Sequence, residues 1–366
     1  MMKKPYFYCC LVAGCILATA RLAAQADSSA LRLSAYLEAY YSFDFTQPDS
    51  HERPAFFYNH NRHNEVNVNL ALLRAAWQEK RARANVGLMA GTYPQYNLAG
   101  EQGLLKNIFE ANAGLRLSAR HELWLDAGVL PSHIGFESAI GRDCWTLSRS
   151  LLAENSPYYE AGARLSYTSP DARWYGAILY LNGWQRIQRL PGNQTPALGT
   201  QLTYNAPGGG LSLNWSTYAG NEQPNGAEQW RYFNNLYAVW KPNDQWGLTA
   251  GLDAGWQQRP ASDSGYDAWL SWVIIGRYAF SAKAAAALRV ELYQDEAGVI
   301  IASDAPKGFK TYGVSANLDY AASQQAMFRI EGRFLGGPEA QFIDASGNPS
   351  QQYFFLTAAV AVSLAR

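Results

Sequence analysis

The sequence predicts an all-β fold, a transmembrane antiparallel up-and-down β-barrel of about 16 strands, roughly 14–18. Three observations predict it. Apolar and polar residues alternate with period two from Leu31 to the C-terminus, as in extended strands with two unlike faces. The connections between these segments are long and short by turns. The composition also suits a wall between lipid and water. Charged residues are 16% of the 366 and aromatic residues 14%, with 23 Tyr and 12 Trp. An ordinary soluble domain carries roughly 25% charge, yet the mean hydropathy here is only −0.25. Beyond the N-terminus the longest apolar run, 353–365, falls short of the roughly 20 residues of a spanning helix.

The chain opens with a targeting pattern. Lys3 and Lys4 precede an apolar stretch over 6–20, and Ala24-Gln25-Ala26 is a small-x-small cleavage site. The expectation is a signal peptide over 1–26, cleaved after Ala26, and a single barrel domain over 27–366. Val12-Ala13-Gly14-Cys15 also fits a lipobox, but apolar Ile16-Leu17-Ala18 follows where a polar linker is usual. Cleavage removes Cys9, Cys10 and Cys15, so Cys144 stays alone and no intramolecular disulfide can form. It also removes Lys3, Lys4 and Arg21 and no acid, leaving a slightly acidic chain that does not suggest a nucleic-acid partner.

The first strand, 31–45, reads LRLSAYLEAYYSFDF. Leu31, Leu33, Leu37, Tyr41, Phe43 and Phe45 share one face, while Arg32, Glu38 and Asp44 share the other. Further on, Val66, Val68, Leu70 and Leu72 oppose Asn67 and Asn69. Val86 and Leu88 oppose Arg81, Arg83 and Asn85. Phe109, Ala111, Ala113 and Leu115 oppose Glu110, Asn112 and Arg116. Leu123, Leu125, Ala127 and Val129 oppose Asp126. Tyr159, Ala161, Ala163, Leu165 and Tyr167 oppose Glu160 and Arg164. Leu211, Leu213 and Trp215 oppose Ser212 and Asn214. Leu248, Ala250 and Leu252 oppose Thr249 and Asp253. Leu288 and Val290 oppose Arg289 and Glu291. Val314, Ala316 and Leu318 oppose Asn317 and Asp319. Phe328, Ile330 and Phe334 oppose Arg329, Glu331 and Arg333. Weaker segments fall at 173–183, 197–205, 232–241, 266–280 and 352–364.

Long connections fall near 46–64, 93–107, 131–157, 184–196, 220–230, 258–265, 295–308 and 336–351, with tight turns between them. A barrel threaded through a membrane has this alternation, with short turns at the periplasmic rim and longer loops outside. An even strand number puts both termini at the periplasmic rim. Trp240 and Trp246 bracket one short turn, and Tyr167 and Trp174 another, the positions of an aromatic girdle at the membrane–water boundary. Closure follows from lipid itself, which leaves no partner for an unpaired backbone N–H or C=O.

At about 16 strands a barrel is too wide for side chains to fill. The candidate lumen residues are Arg81, Arg83, Glu110, Arg116, Asp126, Glu160, Arg164, Arg329, Glu331 and Arg333, with Arg32, Glu38, Asp253, Arg289, Glu291 and Asp319 on the same faces. Both signs are present, which suggests weak charge selectivity. The longest connection, 131–157, is long enough to carry structure of its own. Thr146 is a candidate cap for a short helix bearing Leu147, Leu151 and Leu152. The expectation is that this segment folds inward and narrows the lumen, with Arg142, Asp143, Arg149 and Glu154 near the constriction. The alternative is an external flap.

Asp126-Ala127-Gly128, Pro131…Gly135-Phe136-Glu137, Ser148-Arg149-Ser150, Pro157-Tyr158-Tyr159, Gly162-x-Arg164 and Asn182-Gly183-Trp184 follow one another in an order and spacing that resembles the OmpL-like β-barrel porin family. The resemblance extends over most of the mature chain and is concentrated between 126 and 184. It implies an outer-membrane porin of a Gram-negative cell, a passive diffusion channel for small polar solutes. Its implied partners are outer-membrane lipid, the barrel-assembly machinery and further copies of the chain. The chain departs from the wider pattern at its end: Leu364-Ala365-Arg366 stands where such barrels often finish on an aromatic.

A non-conducting barrel acting through its outer loops as an adhesin or receptor is the alternative. A hydrolase is a weaker one. His133, Asp143 and Ser148 share a loop, but no Gly-x-Ser-x-Gly elbow occurs. His60 and His63 have a spacing that alone is weak evidence of a metal. The expectation is no enzyme, no cofactor and no metal, with Cys144 as a packed thiol.

Overall fold

The computed structural model describes residues 31–365. The expected leader and its cleavage site lie outside them. Sixteen antiparallel strands close into one barrel. They are β1 (Leu31–Asp44), β2 (Val66–Gln78), β3 (Ala82–Ala90), β4 (Ile108–Arg116), β5 (Glu122–Pro131), β6 (Tyr159–Thr168), β7 (Trp174–Leu181), β8 (Ala197–Asn205), β9 (Leu211–Asn221), β10 (Trp230–Trp240), β11 (Trp246–Gln258), β12 (Tyr266–Ala279), β13 (Ala284–Asp295), β14 (Phe309–Ala321), β15 (Ala326–Gly336) and β16 (Gln352–Ala365). Each strand pairs with its neighbours in sequence, and β1 pairs with β16 from Ser34↔Ala365 to Asp44↔Phe355. The expected alternation of tight turns and long connections holds all the way round.

The faces are inverted relative to a soluble protein. Leu33, Val86, Ile178, Ile274, Val290 and Leu318 are exposed on the outer wall, while Glu38, Asp126, Asn235, Ser271, Arg289 and Glu331 are buried inside. Only a lipid surround makes that arrangement favourable. Exposed aromatics gather near both rims: Trp174, Trp240, Trp246 and Tyr320 beside the tight turns, Phe45, Tyr232, Tyr266 and Tyr312 toward the long connections.

Faces on three strands, β2, β5 and β6, differ from the sequence expectation. Glu38 pairs with Leu70 and Ala39 with Val68, so Asn69 is an extra residue in β2. A bulge of one residue reverses the parity beyond it. Leu70 and Leu72 therefore point inward and are buried, and Leu73 faces out. At the adjoining ends of β5 and β6, Val129, Tyr159 and Ala161 are buried rather than lipid-exposed, and the Tyr159 hydroxyl donates to Glu101 at 3.1 Å. Gly162, at φ 157°, marks where the alternation breaks.

Ile274 and Val290 pair across β12 and β13, well away from both rims. Arg at either position is expected to lower barrel stability by about 2–4 kcal/mol. Arg at lumen-facing Gln201 is expected to cost no more than about 1 kcal/mol. Urea unfolding of the lipid-embedded barrel measures both.

Candidate functional site in the barrel lumen

The connection between β5 and β6, residues 132–158, crosses the lumen. It leaves β5 at the end bearing long connections. The His133 ring meets Glu160 on β6 at 2.8 Å and the carbonyl of Thr217 on β9 at 2.8 Å. Both ring nitrogens thus face acceptors. Burial opposes a charge on His133, but Glu160 and the Thr217 carbonyl outweigh it and raise the imidazole above its ordinary value. The Gly135 N–H then donates to Asn235 on β10. The segment continues to the far rim, where the Arg142 guanidinium donates to the carbonyls of Gln324 and Gln325 in the β14–β15 turn.

Its return is fixed to the wall of β13, β14 and β15. Arg289, Glu291, Glu331 and Arg333 form a fully buried quartet, with Arg289–Glu331 at 2.7 Å and Arg333–Glu291 at 2.6 Å. The quartet also binds the loop backbone. Ser148 N–H donates to Glu331 at 2.5 Å and Leu151 N–H to Glu291 at 2.7 Å. Arg289 donates to the Ser148 carbonyl at 2.7 Å, and Arg333 to that of Arg149 at 2.8 Å. Lower down, Arg329 pairs with Asp319 and donates to the carbonyls of Gly141 and Cys144. Arg329, Glu331 and Arg333 therefore lie beneath the loop and do not face open water. Arg149 is also buried, and its guanidinium donates to the loop carbonyls of Ser138 and Ala139.

The helical turn Leu151–Glu154 is capped by Ser150, whose side chain accepts from Ala153 N–H. The sequence pointed to Thr146 instead. The Thr146 hydroxyl donates to the Ser148 carbonyl and accepts from Arg289. Burial pushes the Cys144 thiol up to about 11.

Glycines make room for the loop. A Cβ on Gly251 of β11 would meet the Phe136 ring at 2.6 Å, one on Gly247 the Trp145 ring at 2.5 Å, and one on Gly199 of β8 the His133 ring at 2.7 Å. Periodicity hides these positions, because a glycine in a strand carries no pattern.

The opposite wall carries the remaining candidate residues. Arg83 and Arg164 both pair with Asp126, at 2.5 Å and 3.2 Å. Arg116 pairs with Glu122 at the tight-turn rim, and Arg81 is exposed there. Glu110 pairs at 2.6 Å with Arg74, a lumen residue that the sequence reading missed. The bulge at Asn69 is the reason, since unbroken alternation puts Arg74 on the lipid face. A lone arginine on an otherwise apolar face was the available signal. Asp143 is exposed at the loop tip.

At the outer mouth, Glu154 joins this loop to the first one. It accepts from Tyr58 N–H at 2.9 Å and from the Asn59 side chain at 3.2 Å. Burial pushes its carboxyl up to about 7 despite those donors. His60 turns inward to Glu38 at 2.8 Å, whereas His63 accepts from Asp44 N–H. His133, Asp143 and Ser148 do not assemble as a triad. Both nitrogens of His133 are engaged elsewhere, and the Ser148 hydroxyl lies against Arg289 and Arg333.

The folded chain holds the Glu154 proton up to about pH 7, while an unfolded glutamate releases it near 4.5. More protons are bound in the folded state across that window, so stability rises as pH falls through it. Thermal unfolding at pH 8 and pH 5 is expected to show this. Glu154→Gln is expected to remove a pH-dependent share on the order of 2 kcal/mol. Gly251→Leu is expected to displace Phe136 and raise protease cleavage within 132–158.

The sequence matches a family model described as "Putative beta-barrel porin-2, OmpL-like" over residues 30–362. No curated protein matches it. Among solved structures, an anion-selective porin from Comamonas acidovorans aligns with TM-score 0.60 and 11% identity, covering 92% of this chain and 100% of that one. OmpT of Vibrio cholerae aligns with TM-score 0.56 and 9% identity, over 93% and 99%. Salmonella typhi OmpF in complex with daunomycin gives 0.57 and 12%, over 92% and 97%. These likenesses concern the fold. With the family model covering nearly all of the barrel, the chain belongs to the OmpL-like β-barrel porin family.

Proposed function

We propose that this porin resides in the outer membrane after loss of residues 1–26 and passes small polar solutes by passive diffusion. The connection 131–157 narrows the path, and the lumen charges set a weak selectivity. The observation that carries the reading is the set of hydrogen bonds from this connection to the inner face of β13–β15. Arg142 and Asp143 act at the tip near the periplasmic rim. Arg149 and Glu154 act by holding the loop. Arg81, Arg83, Glu110, Arg116, Asp126 and Arg164 belong to the wall facing the remaining water. Assembly into homo-oligomers fits an outer wall that is apolar all round, and one solved neighbour, OmpT of Vibrio cholerae, is described in a trimer form. Membrane lipid and the barrel-assembly machinery are the other expected partners.

A second reading has its own support. The cavity at the outer mouth, lined by Tyr58, Glu101, Trp184 and Arg231 among others, shares no lining residue with the cavity at the tight-turn rim around Arg32, Arg83 and Arg164. A loop that stays in place would separate them, leaving a barrel that works through its outer loops.

Planar-bilayer recording of the mature chain, 27–366, distinguishes the two. Diffusion predicts stable current steps that grow with salt, and larger steps when residues 142–153 are deleted. Silence from the folded wild type together with conductance in the deletion variant would favour the occluded reading. Equal steps in both proteins would contradict a narrowing role for the loop.

A further inference from the structure

The sequence counts both signs of charge in the lumen, but the structure does not present them equally to water. On the wall of β1 to β6 the carboxylates lie against the strands and the guanidiniums lie over them. The Asp126 side chain is 1% exposed, whereas its partners Arg83 and Arg164 are 23% and 22% exposed. The Glu110 side chain is 4% exposed and that of Arg74 is 34%. Arg32 is exposed and forms no ion pair among the described residues. At the rim the Arg116–Glu122 pair reverses this, with its acid more exposed than its base.

On the other side of the lumen, the quartet of β13 and β15 balances itself and is sealed under the loop. The loop thus removes a neutral set of charges from the water path and leaves the basic wall uncovered. Arg32, Arg83, Arg116 and Arg164 line one cavity of about 710 Å³; Lys80 offsets Glu79 on the turn and Arg116 offsets Glu122, which leaves Arg32, Arg83 and Arg164 in excess. Away from the Arg116–Glu122 pair an ion in that cavity meets the guanidiniums first, and the nearer charge dominates its energy. Low-dielectric walls strengthen the effect.

We propose that this vestibule is an anion-selecting site, suited to small carboxylates and phosphate-like oxyanions, which a planar guanidinium binds with two parallel hydrogen bonds. The proposal rests on the porin reading and replaces weak, mixed selectivity with a definite sign.

The experiment is the zero-current potential across a potassium chloride gradient near 0.1 M, where the Debye length is about 10 Å and wall charges are not screened out. The wild type is expected to give the sign of chloride permeation. The double variant Arg83→Gln/Asp126→Asn leaves net charge unchanged, yet it is expected to move the potential toward zero, because the arginine faces the cavity and the carboxylate lies buried behind it. Arg32→Gln, which breaks no ion pair, is expected to shift it the same way. A cation-type or zero potential in the wild type overturns the proposal, as does an unchanged potential in both variants. If the folded wild type passes no current, the diffusion reading fails, and the vestibule is tested by titrating inorganic phosphate. The Arg83 guanidinium lies 4.3 Å from the Trp124 ring, so a saturable fluorescence change that is lost in Trp124→Phe supports the site. No change overturns it.

Discussion

At membrane depth each backbone N–H and C=O needs a partner, because lipid offers none. Pairing of β1 with β16 meets that need at the only place where a sheet edge would remain. The rest of the architecture follows from closure. A closed sheet in lipid has an apolar outside, so its polar residues turn inward. Sixteen staves then enclose a space that wall side chains alone cannot fill. The segment 132–158 occupies part of it, and it brings backbone groups of its own that need partners.

The buried quartet answers that second need. Four charges out of water are costly when left to one another, since desolvation can exceed the attraction between them. Here each one also bonds a loop N–H or carbonyl. The wall satisfies the loop and the loop satisfies the wall. Charge is spent differently on the opposite wall, where acids serve as bases for arginines that remain in contact with water. The same residue types therefore hold structure on one side and shape the path on the other.

The strands, their number and the alternation of turns were legible in the sequence because each depends on local pattern: period two along the chain and turn residues between segments. The faces were legible except where the pattern itself changes phase. Asn69 adds one residue to β2, and from there Leu70 and Leu72 exchange sides with their neighbours. Arg74 was lost to the same phase change. The long connection could be recognised from its length, but its path could not, because it depends on contacts such as Leu151 with Glu291, 140 residues apart in sequence. The glycines that admit Phe136, Trp145 and His133 read as weak strand residues until the loop lies against them.

The central claim is that the tip of this loop lies at the tight-turn rim, inside the barrel. Spin labels on Asp143→Cys and Gln324→Cys, in the segment 27–366 with its one cysteine removed by Cys144→Ser, measure it directly. The account predicts a short separation, because neighbouring Arg142 donates to the carbonyls of Gln324 and Gln325. A separation exceeding the apolar band, about 25 Å tall, would place the loop outside the barrel and contradict the account.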